Sequence, residues 1–165
     1  MKTIFAAAAA AVALVVTPVV AADAPMMMVD EQAMSYATSN WDGVYAGVQG
    51  GYDLDGYGVV QGVLGANFTA TDSILLGVEG AFGPYIDGGG IDGFEGYVAG
   101  RAGFLADPAL FYLIGGASLV DGDVDWLAGA GAEFMVTDSV SLRGQVLNYG
   151  GDFMQVTGGV LWHFN

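Results

Sequence analysis

The sequence predicts an all-β protein: an up-and-down antiparallel barrel of eight strands that crosses a membrane. The chain from Trp41 onward consists of about eight segments in which apolar residues alternate with polar or small ones. This is the period of an extended strand that has a different environment on each face. Short breaks with turn residues separate the segments, and the polar faces carry glycine and amides rather than the charged residues of a water-facing sheet.

The predicted strands are each about ten residues long, the length that a tilted transmembrane β-strand needs. They run from Trp41 to Tyr52, Tyr57 to Phe68, Ser73 to Phe82, Phe94 to Leu105, Leu110 to Val120, Val124 to Met135, Val140 to Tyr149 and Phe153 to Asn165. The fifth is apolar on both faces, so the pattern leaves its register open. No segment has a helical period, and an even strand count with both chain ends on one side fits a closed meander.

Outside the fifth strand, one face of each strand is apolar and the other is polar or small. The apolar faces hold Val44, Ala46, Val48 and Tyr52; Val60, Leu64, Ala66 and Phe68; Ile74, Leu76, Val78 and Phe82; Phe94, Val98, Ala102 and Phe104; Trp126, Ala128, Ala130, Ala132 and Phe134; Leu142 and Val146; and Met154, Val156, Val160, Trp162 and Phe164. The opposite faces hold Gly43, Tyr45, Gly47, Gln49 and Gly51; Gln61, Gly65 and Asn67; Gly77, Glu79 and Ala81; Glu95, Tyr97, Arg101 and Gly103; Gly129, Gly131 and Glu133; Ser141, Arg143 and Gln145; and Gln155, Thr157, Gly159 and His163. A soluble sheet needs many hydrated side chains on its outer face, and the second set has few. We therefore expect the apolar faces to meet lipid and the others to line a narrow lumen.

The breaks between the strands carry turn residues. One end of the predicted barrel has Thr71-Asp72-Ser73, Asp107-Pro108 and Thr137-Asp138-Ser139, and the other end has 53–56 (DLDG), 87–93 (DGGGIDG), 121–123 (DGD) and 149–152 (YGGD). Loops as short and acidic as these offer little surface to a receptor.

The first 22 residues have the layout of a secretory signal peptide. Lys2 precedes an apolar stretch, which ends in the small residues Val20-Ala21-Ala22. A retained membrane helix is the alternative, but Pro18 interrupts the Ala-rich sequence and no basic residue follows to stop transfer. Residues 23–40 lack the period of two, so we expect a flexible lead-in to a barrel over 41–165.

Charge and composition exclude several classes of protein. The formal net charge of −15 becomes −16 once Lys2 is removed, which leaves Arg101 and Arg143 against 18 acidic residues. A chain this acidic does not bind nucleic acid by neutralising phosphates. A hydrophobic content of 54% excludes disorder, and the absence of cysteine excludes a disulfide framework.

Both remaining arginines fall on lumen faces, and each is predicted to have a carboxylate partner. The turn near Asp138 places Glu133 opposite Arg143, and the connection between the third and fourth strands places Glu79 near Arg101. The other predicted lumen groups are the amides Gln49, Gln61, Asn67, Gln145 and Gln155. Since an eight-stranded barrel is only wide enough for its own side chains, we expect the pairs to plug the lumen and fix the register; a gate for small solutes is the alternative.

The sequence offers little for catalysis or metal binding. Pairing of the last two strands would bring His163, the single histidine, near Ser141, with Asp138 or Glu133 as the orienting acid. This pair is kept as an alternative catalytic site, and a histidine at the aqueous rim is the preferred interpretation. The acidic run 121–125 (DGDVD) lacks the glycine and the closing Glu of a calcium loop, so no metal or other cofactor is expected.

Three motifs point to a known family. They are the opening segment 41–52 (WDGVYAGVQGGY), the late segment 126–145 (WLAGAGAEFMVTDSVSLRGQ) and the terminal VLWHFN. They resemble the opening strand, a late hairpin and the closing strand of the small outer-membrane β-barrels of Gram-negative bacteria, which include opacity-protein-like and outer-membrane-protein-A-like barrels. The resemblance covers 41–165 and implies an eight-stranded barrel with a structural, adhesive or envelope-stabilising role and no enzymatic activity.

We therefore expect a structural protein of the outer membrane that contributes to envelope integrity or surface properties. A narrow porin for small solutes is the first alternative, and a surface adhesin or a lipid-modifying hydrolase is the second. The expected partners are outer-membrane lipid, lipopolysaccharide and the barrel-assembly machinery, and a monomer is expected. The resemblance implies that Val160, Trp162 and Phe164 form the assembly signal, although Asn165 follows the last aromatic residue.

Overall fold

The eight strands form one closed antiparallel barrel. The computed structural model describes residues 40–151 and 153–164; the predicted signal peptide and the lead-in up to residue 39 lie outside them, as does Asn165. The strands are β1 (Gly43–Asp53), β2 (Gly58–Thr71), β3 (Ile74–Asp87), β4 (Gly90–Ala106), β5 (Ala109–Val120), β6 (Asp123–Thr137), β7 (Val140–Tyr149) and β8 (Phe153–Phe164). Each strand pairs with its neighbours in sequence, and β8 closes the barrel on β1, which confirms the predicted fold. Within the described residues, no helix is long and apolar enough to cross a membrane.

The two ends of the barrel differ in their connections. The terminal end, where β1 begins and β8 ends, has two-residue turns, and the opposite end, here called the loop end, has connections of two to four residues. Two loop-end hairpins turn at Gly88-Gly89 and Asp121-Gly122, where φ is positive at both positions. Paired positive φ values are those of a type I′ turn, whose twist matches that of the flanking strands. The predicted loop over 87–93 is therefore too long, because β3 and β4 continue to this tight turn.

Threonine hydroxyls stabilise two turns at the terminal end. The Thr71 hydroxyl accepts hydrogen bonds from the backbone N–H groups of Ser73, at 3.4 Å, and Ile74, at 3.1 Å. The Thr137 hydroxyl accepts one from the Ser139 N–H at 3.3 Å. The strand register shifts beside both threonines, as a β-bulge near a turn produces. The repeated Thr-Asp-Ser sequence therefore builds the same connection twice.

Large apolar side chains cover the outside of the barrel, with aromatic residues at two levels. Those towards the loop end are Tyr52, Phe82, Phe94 and Trp126, and those towards the terminal end are Phe68, Phe104, Phe111, Phe134, Trp162 and Phe164. Phe94 and Phe104 lie ten residues apart on β4, which is about 25 Å of height for a strand tilted by about 40°. This is the height of the apolar band of an outer-membrane barrel, with aromatic residues at both water interfaces.

The structure defines the register of β5, which the sequence left open. Leu110, Tyr112 and Ile114 point inward and are buried, while Phe111 and Leu113 point outward and are exposed. Both faces of β5 are apolar because this strand contributes large side chains to the interior as well as to the lipid-facing wall.

The interior is less polar than the sequence predicts. Two sets of large apolar side chains in the interior are almost completely buried. Those near the terminal end are Trp41, Leu75, Leu110 and Leu161, and those near the loop end are Leu127, Leu147 and Tyr149. The expectation of a polar lumen was wrong for these two ends of the interior. Each inward face was recognised by its polar and glycine members, so the bulky apolar residues on the same faces were overlooked.

Candidate functional site

The centre of the barrel holds four buried charged side chains, Glu79, Arg101, Glu133 and Arg143, here called the charge cluster. None of the four side chains is accessible to solvent. Arg143 donates to both carboxylate oxygens of Glu79, at 2.8 and 2.5 Å, and also to Glu133 Oε1, at 3.0 Å from Nε and 2.7 Å from Nη2. Arg101 Nη1 lies 2.7 Å from Glu133 Oε1 and 3.2 Å from Glu79 Oε2. With two cations and two anions, the charge cluster is formally neutral.

The two pairs expected from the sequence are joined into this one cluster. Glu133 and Arg143 are direct partners in the β6–β7 register, as the turn between them requires. Arg101 lies opposite Gly77, two residues from Glu79, and makes its contact on the diagonal. Both pairs lie in one cluster because the interior is narrow enough for Arg143 on β7 to reach Glu79 on the facing strand β3.

Three tyrosines complete the charge cluster. Tyr45 and Tyr97 donate to Glu79 at 2.5 and 2.6 Å. The Arg101 guanidinium lies over the rings of Tyr45 and Tyr112, 5.0 and 4.6 Å from their centroids, in the range of a cation–π contact. These tyrosines were not among the predicted site residues, although Tyr45 and Tyr97 fall on predicted lumen faces. Tyr112 lies in the strand whose register the sequence left open.

A row of glutamines connects the charge cluster to a second buried carboxylate. The Gln145 amide donates to Gln49 at 3.1 Å, and Gln49 donates to Gln61 at 2.7 Å. Gln61 and Gln155 both donate to Oε1 of Glu95, at 2.8 and 2.7 Å. The structure thus brings the four predicted lumen glutamines into one network, and it adds Glu95, which was placed on a lumen face but not singled out as a site residue.

The fifth predicted lumen amide lies at the terminal end, in a separate group of contacts. Asn67 donates to the backbone oxygen of Trp41 at 3.2 Å. The Trp41 ring packs edge-on against the His163 ring with centroids 5.5 Å apart, and the Tyr45 ring is 5.6 Å from the same histidine. Trp41 is 1% exposed, so its ring lies inside the barrel at this end, which its position just before β1 did not reveal.

The structure brings the alternative catalytic pair together, but in a closed environment. The Ser141 hydroxyl and His163 Nε2 are 3.0 Å apart, and both residues are buried. Among the described residues, no carboxylate hydrogen-bonds to His163: Glu133 is held by the arginines, and Asp138 is exposed in its turn. A nucleophile needs an oriented base and access for its substrate, and within the described residues this pair has no orienting carboxylate and both side chains are buried. The expectation of a histidine at the aqueous rim was also wrong.

We expect purified barrel to hydrolyse p-nitrophenyl esters no faster than a Ser141→Ala variant. In the part of the chain that the structure describes, no acid orients the histidine and the serine is buried, so we expect its removal to leave the rate unchanged. A spectrophotometric assay of both folded proteins at equal concentration tests this. A rate in the wild type that exceeds that of the variant tenfold would revive the hydrolase hypothesis.

Within the described part of the chain, no group of three or more His, Asp or Glu side chains is arranged to hold a metal ion. Val160, Trp162 and Phe164 lie on the outward face of β8, and Trp162 and Phe164 are well exposed. Their role as an assembly signal stays a prediction.

Comparison with known proteins supports the membrane assignment. No family model matches the chain. A 22 kDa outer membrane protein of Rhizobium leguminosarum bv. viciae is 30% identical over 140 residues, in an alignment that covers 68% of this chain and 65% of that protein. This chain therefore spans less than two thirds of its relative's length.

Two solved structures with the same fold are transmembrane β-barrels made by design. One chain from a study of the de novo design of transmembrane β-barrels superposes with a TM-score of 0.51 at 19% identity, covering 73% of this chain and 95% of its own. The solution NMR structure of the designed barrel TMB2.3 gives a TM-score of 0.52 at 17% identity, covering 75% and 95%. This likeness shows the fold, and the outer-membrane relative together with the apolar wall places the chain in the outer membrane.

Proposed function

We propose that this outer-membrane β-barrel is a structural protein of the cell envelope whose lumen is closed by its own side chains. The observation that carries the proposal is the complete burial of the charge cluster across the centre of the barrel. Its role is to contribute to envelope integrity or surface properties, without an enzymatic activity of its own.

Three layers along the barrel axis support a closed lumen. Buried leucines and Trp41 occupy the terminal end, the charge cluster and its tyrosines occupy the middle, and Leu127, Leu147 and Tyr149 occupy the loop end. A solute that moved along the axis would have to separate Arg143 from Glu79 and Glu133 and would leave buried charges without partners. The cost of breaking such a buried pair is about 3 to 5 kcal/mol. The packed apolar layers at both ends add to this barrier.

The connections of the barrel also favour a structural role over a receptor-binding one. The four loop-end connections have two to four residues each, and adhesins present their binding residues on longer loops that stand above the membrane. The name of the relative from Rhizobium states its mass and its location. A role in the wall of the envelope requires the folded barrel and no large external surface.

Reconstituted wild-type barrel is expected to show no single-channel steps in planar lipid bilayers, because its interior is filled. A general porin inserted in the same bilayer serves as the positive control, and a heat-modifiability gel shows that the sample is folded. Sustained steps of uniform size from folded protein would contradict the closed lumen and favour the narrow-porin alternative.

A further inference from the structure

Among the strands that the structure describes, β1 and β8 are the one neighbouring pair that no turn connects, and their junction is here called the seam. In every other pair the two strands follow each other in sequence and are joined at one end. The seam runs from Val44 opposite Phe164 to Asp53 opposite Gln155. At its terminal end β1 begins and β8 ends, and such unconnected strand ends are where a sheet opens most easily.

Two residues just before β1 bridge this end of the seam. The Asp42 carboxylate accepts hydrogen bonds from the backbone N–H and the hydroxyl of Thr69 on β2, at 2.5 and 2.8 Å. The Trp41 backbone oxygen accepts one from the Asn67 amide, also on β2, at 3.2 Å. The Trp41 ring packs edge-on against His163 on β8, with centroids 5.5 Å apart. Because β1 lies between β2 and β8, the two residues contact both neighbours of the strand that they precede.

The Trp41 ring depends on β8 for its burial. Gly43 has a φ of 99°, a conformation that residues with a side chain rarely adopt, so the chain departs from the extended form just before the strand continues. The ring lies in the apolar cluster of the terminal end together with Leu161 of β8. If the end of β8 moved away from β1, the ring would lose its contact with His163 and its buried position.

We infer that Trp41 and Asp42 form a latch that holds the terminal end of the seam closed. The hydrogen bonds to β2 keep the indole ring in place, so the ring resists a movement of β8 and does not follow it. Opening the seam would bring a large buried aromatic surface into contact with water, which is unfavourable. His163 is in turn 3.0 Å from Ser141 on β7, so the latch connects four consecutive strands across the seam.

The inference is tested by hydrogen–deuterium exchange of the folded barrel in detergent micelles, followed by mass spectrometry of peptides from each strand. The test variant is Trp41→Ala. The matched control is Leu110→Ala, which removes a buried side chain of the same apolar cluster from β5, on the side of the barrel opposite the seam. We expect Trp41→Ala to raise exchange in 43–48 and 159–164 by at least about tenfold while β4 and β5 keep their wild-type rates, because local opening exposes the amides of the seam alone. Leu110→Ala is expected to raise exchange no more at the seam than in β4 and β5.

Two further changes separate a latch from a side chain that merely fills the interior. Asp42→Ala removes the anchor on Thr69 and leaves the Trp41 side chain present, so it is expected to raise exchange in the same two segments by a smaller factor. It also replaces Trp41→Ala if that variant fails to fold in the heat-modifiability gel. A disulfide formed by Val44→Cys and Phe164→Cys, which face each other on the outside of the barrel, locks the end of the seam. The disulfide is expected to return both latch variants to wild-type exchange.

Three results would each overturn the inference: exchange that rises equally in all strands after Trp41→Ala, a seam that stays protected in both latch variants, and a rise that the disulfide does not suppress. The latch acts on the pairing of β1 with β8, and a barrel with an open lumen would have the same seam. The bilayer experiment on the closed lumen and this experiment on the seam can therefore fail independently.

Discussion

Replacing Arg143 with Met is expected to destabilise the folded barrel by about 3 to 5 kcal/mol, the cost of leaving a buried charge without its partner. Arg143 makes two contacts with Glu79 and two with Glu133. After its removal, the two carboxylates share a single guanidinium, so the interior has a net negative charge. The measurement is the urea dependence of unfolding in phosphatidylcholine vesicles, followed by tryptophan fluorescence and by the heat-modifiability gel.

The double variant Arg143→Met with Glu133→Gln is the control for this prediction. It removes one cation and one anion, which leaves Glu79 and Arg101 as a neutral pair in contact at 3.2 Å. We expect the double variant to be more stable than the sum of the two single effects, with an interaction free energy within the range of about 0.5 to 3 kcal/mol found for contacting residues. Strict additivity would show that the two side chains do not act together, contrary to the geometry.

The charge cluster shows which part of the site the sequence could reveal. The pairing of Glu133 with Arg143 was predictable, because a short turn connects their strands and determines which residues face each other. The contact between Arg143 and Glu79 joins strands on opposite sides of the barrel. It depends on the width and stagger of the closed sheet, which alternation along single strands does not contain.

The same reasoning explains which parts of the fold were predicted. Alternation located all eight strands and the outward faces of seven, because lipid selects large apolar residues on every second position. The inward faces were harder to interpret. Leu75, Leu147 and Leu161 lie on them beside glycines and amides, because a barrel of this size fills its interior with a mixture of large and small side chains. A sequence pattern that sorts residues only as polar or apolar cannot distinguish a filled interior of this type from a polar lumen.

Two adjacent glycines on β5 have opposite roles in the shape of the barrel. A Cβ atom on Gly116 would meet the backbone of β4, lying 2.5 Å from Ala99 Cα and in conflict with the Val98 oxygen. A Cβ atom on Gly115 would point outward, with the Leu127 oxygen 3.6 Å away as its nearest neighbour. Gly116 therefore allows a close approach of two strands, as glycine kinks do in curved sheets, whereas Gly115 has room for a side chain.

We expect Gly116→Ala to destabilise the barrel by about 1 to 3 kcal/mol, the usual cost of forcing an extra methyl into a packed region. Gly115→Ala is the matched control, because it makes the same chemical change one residue away. It is expected to be neutral or to stabilise the barrel by up to about 1 kcal/mol, since alanine loses less backbone entropy than glycine on folding. Urea unfolding of both variants in the same vesicles separates the two results. Equal stability of the two variants would mean that β5 is able to move away from β4 at Gly116, and that the curvature of the wall does not depend on this glycine.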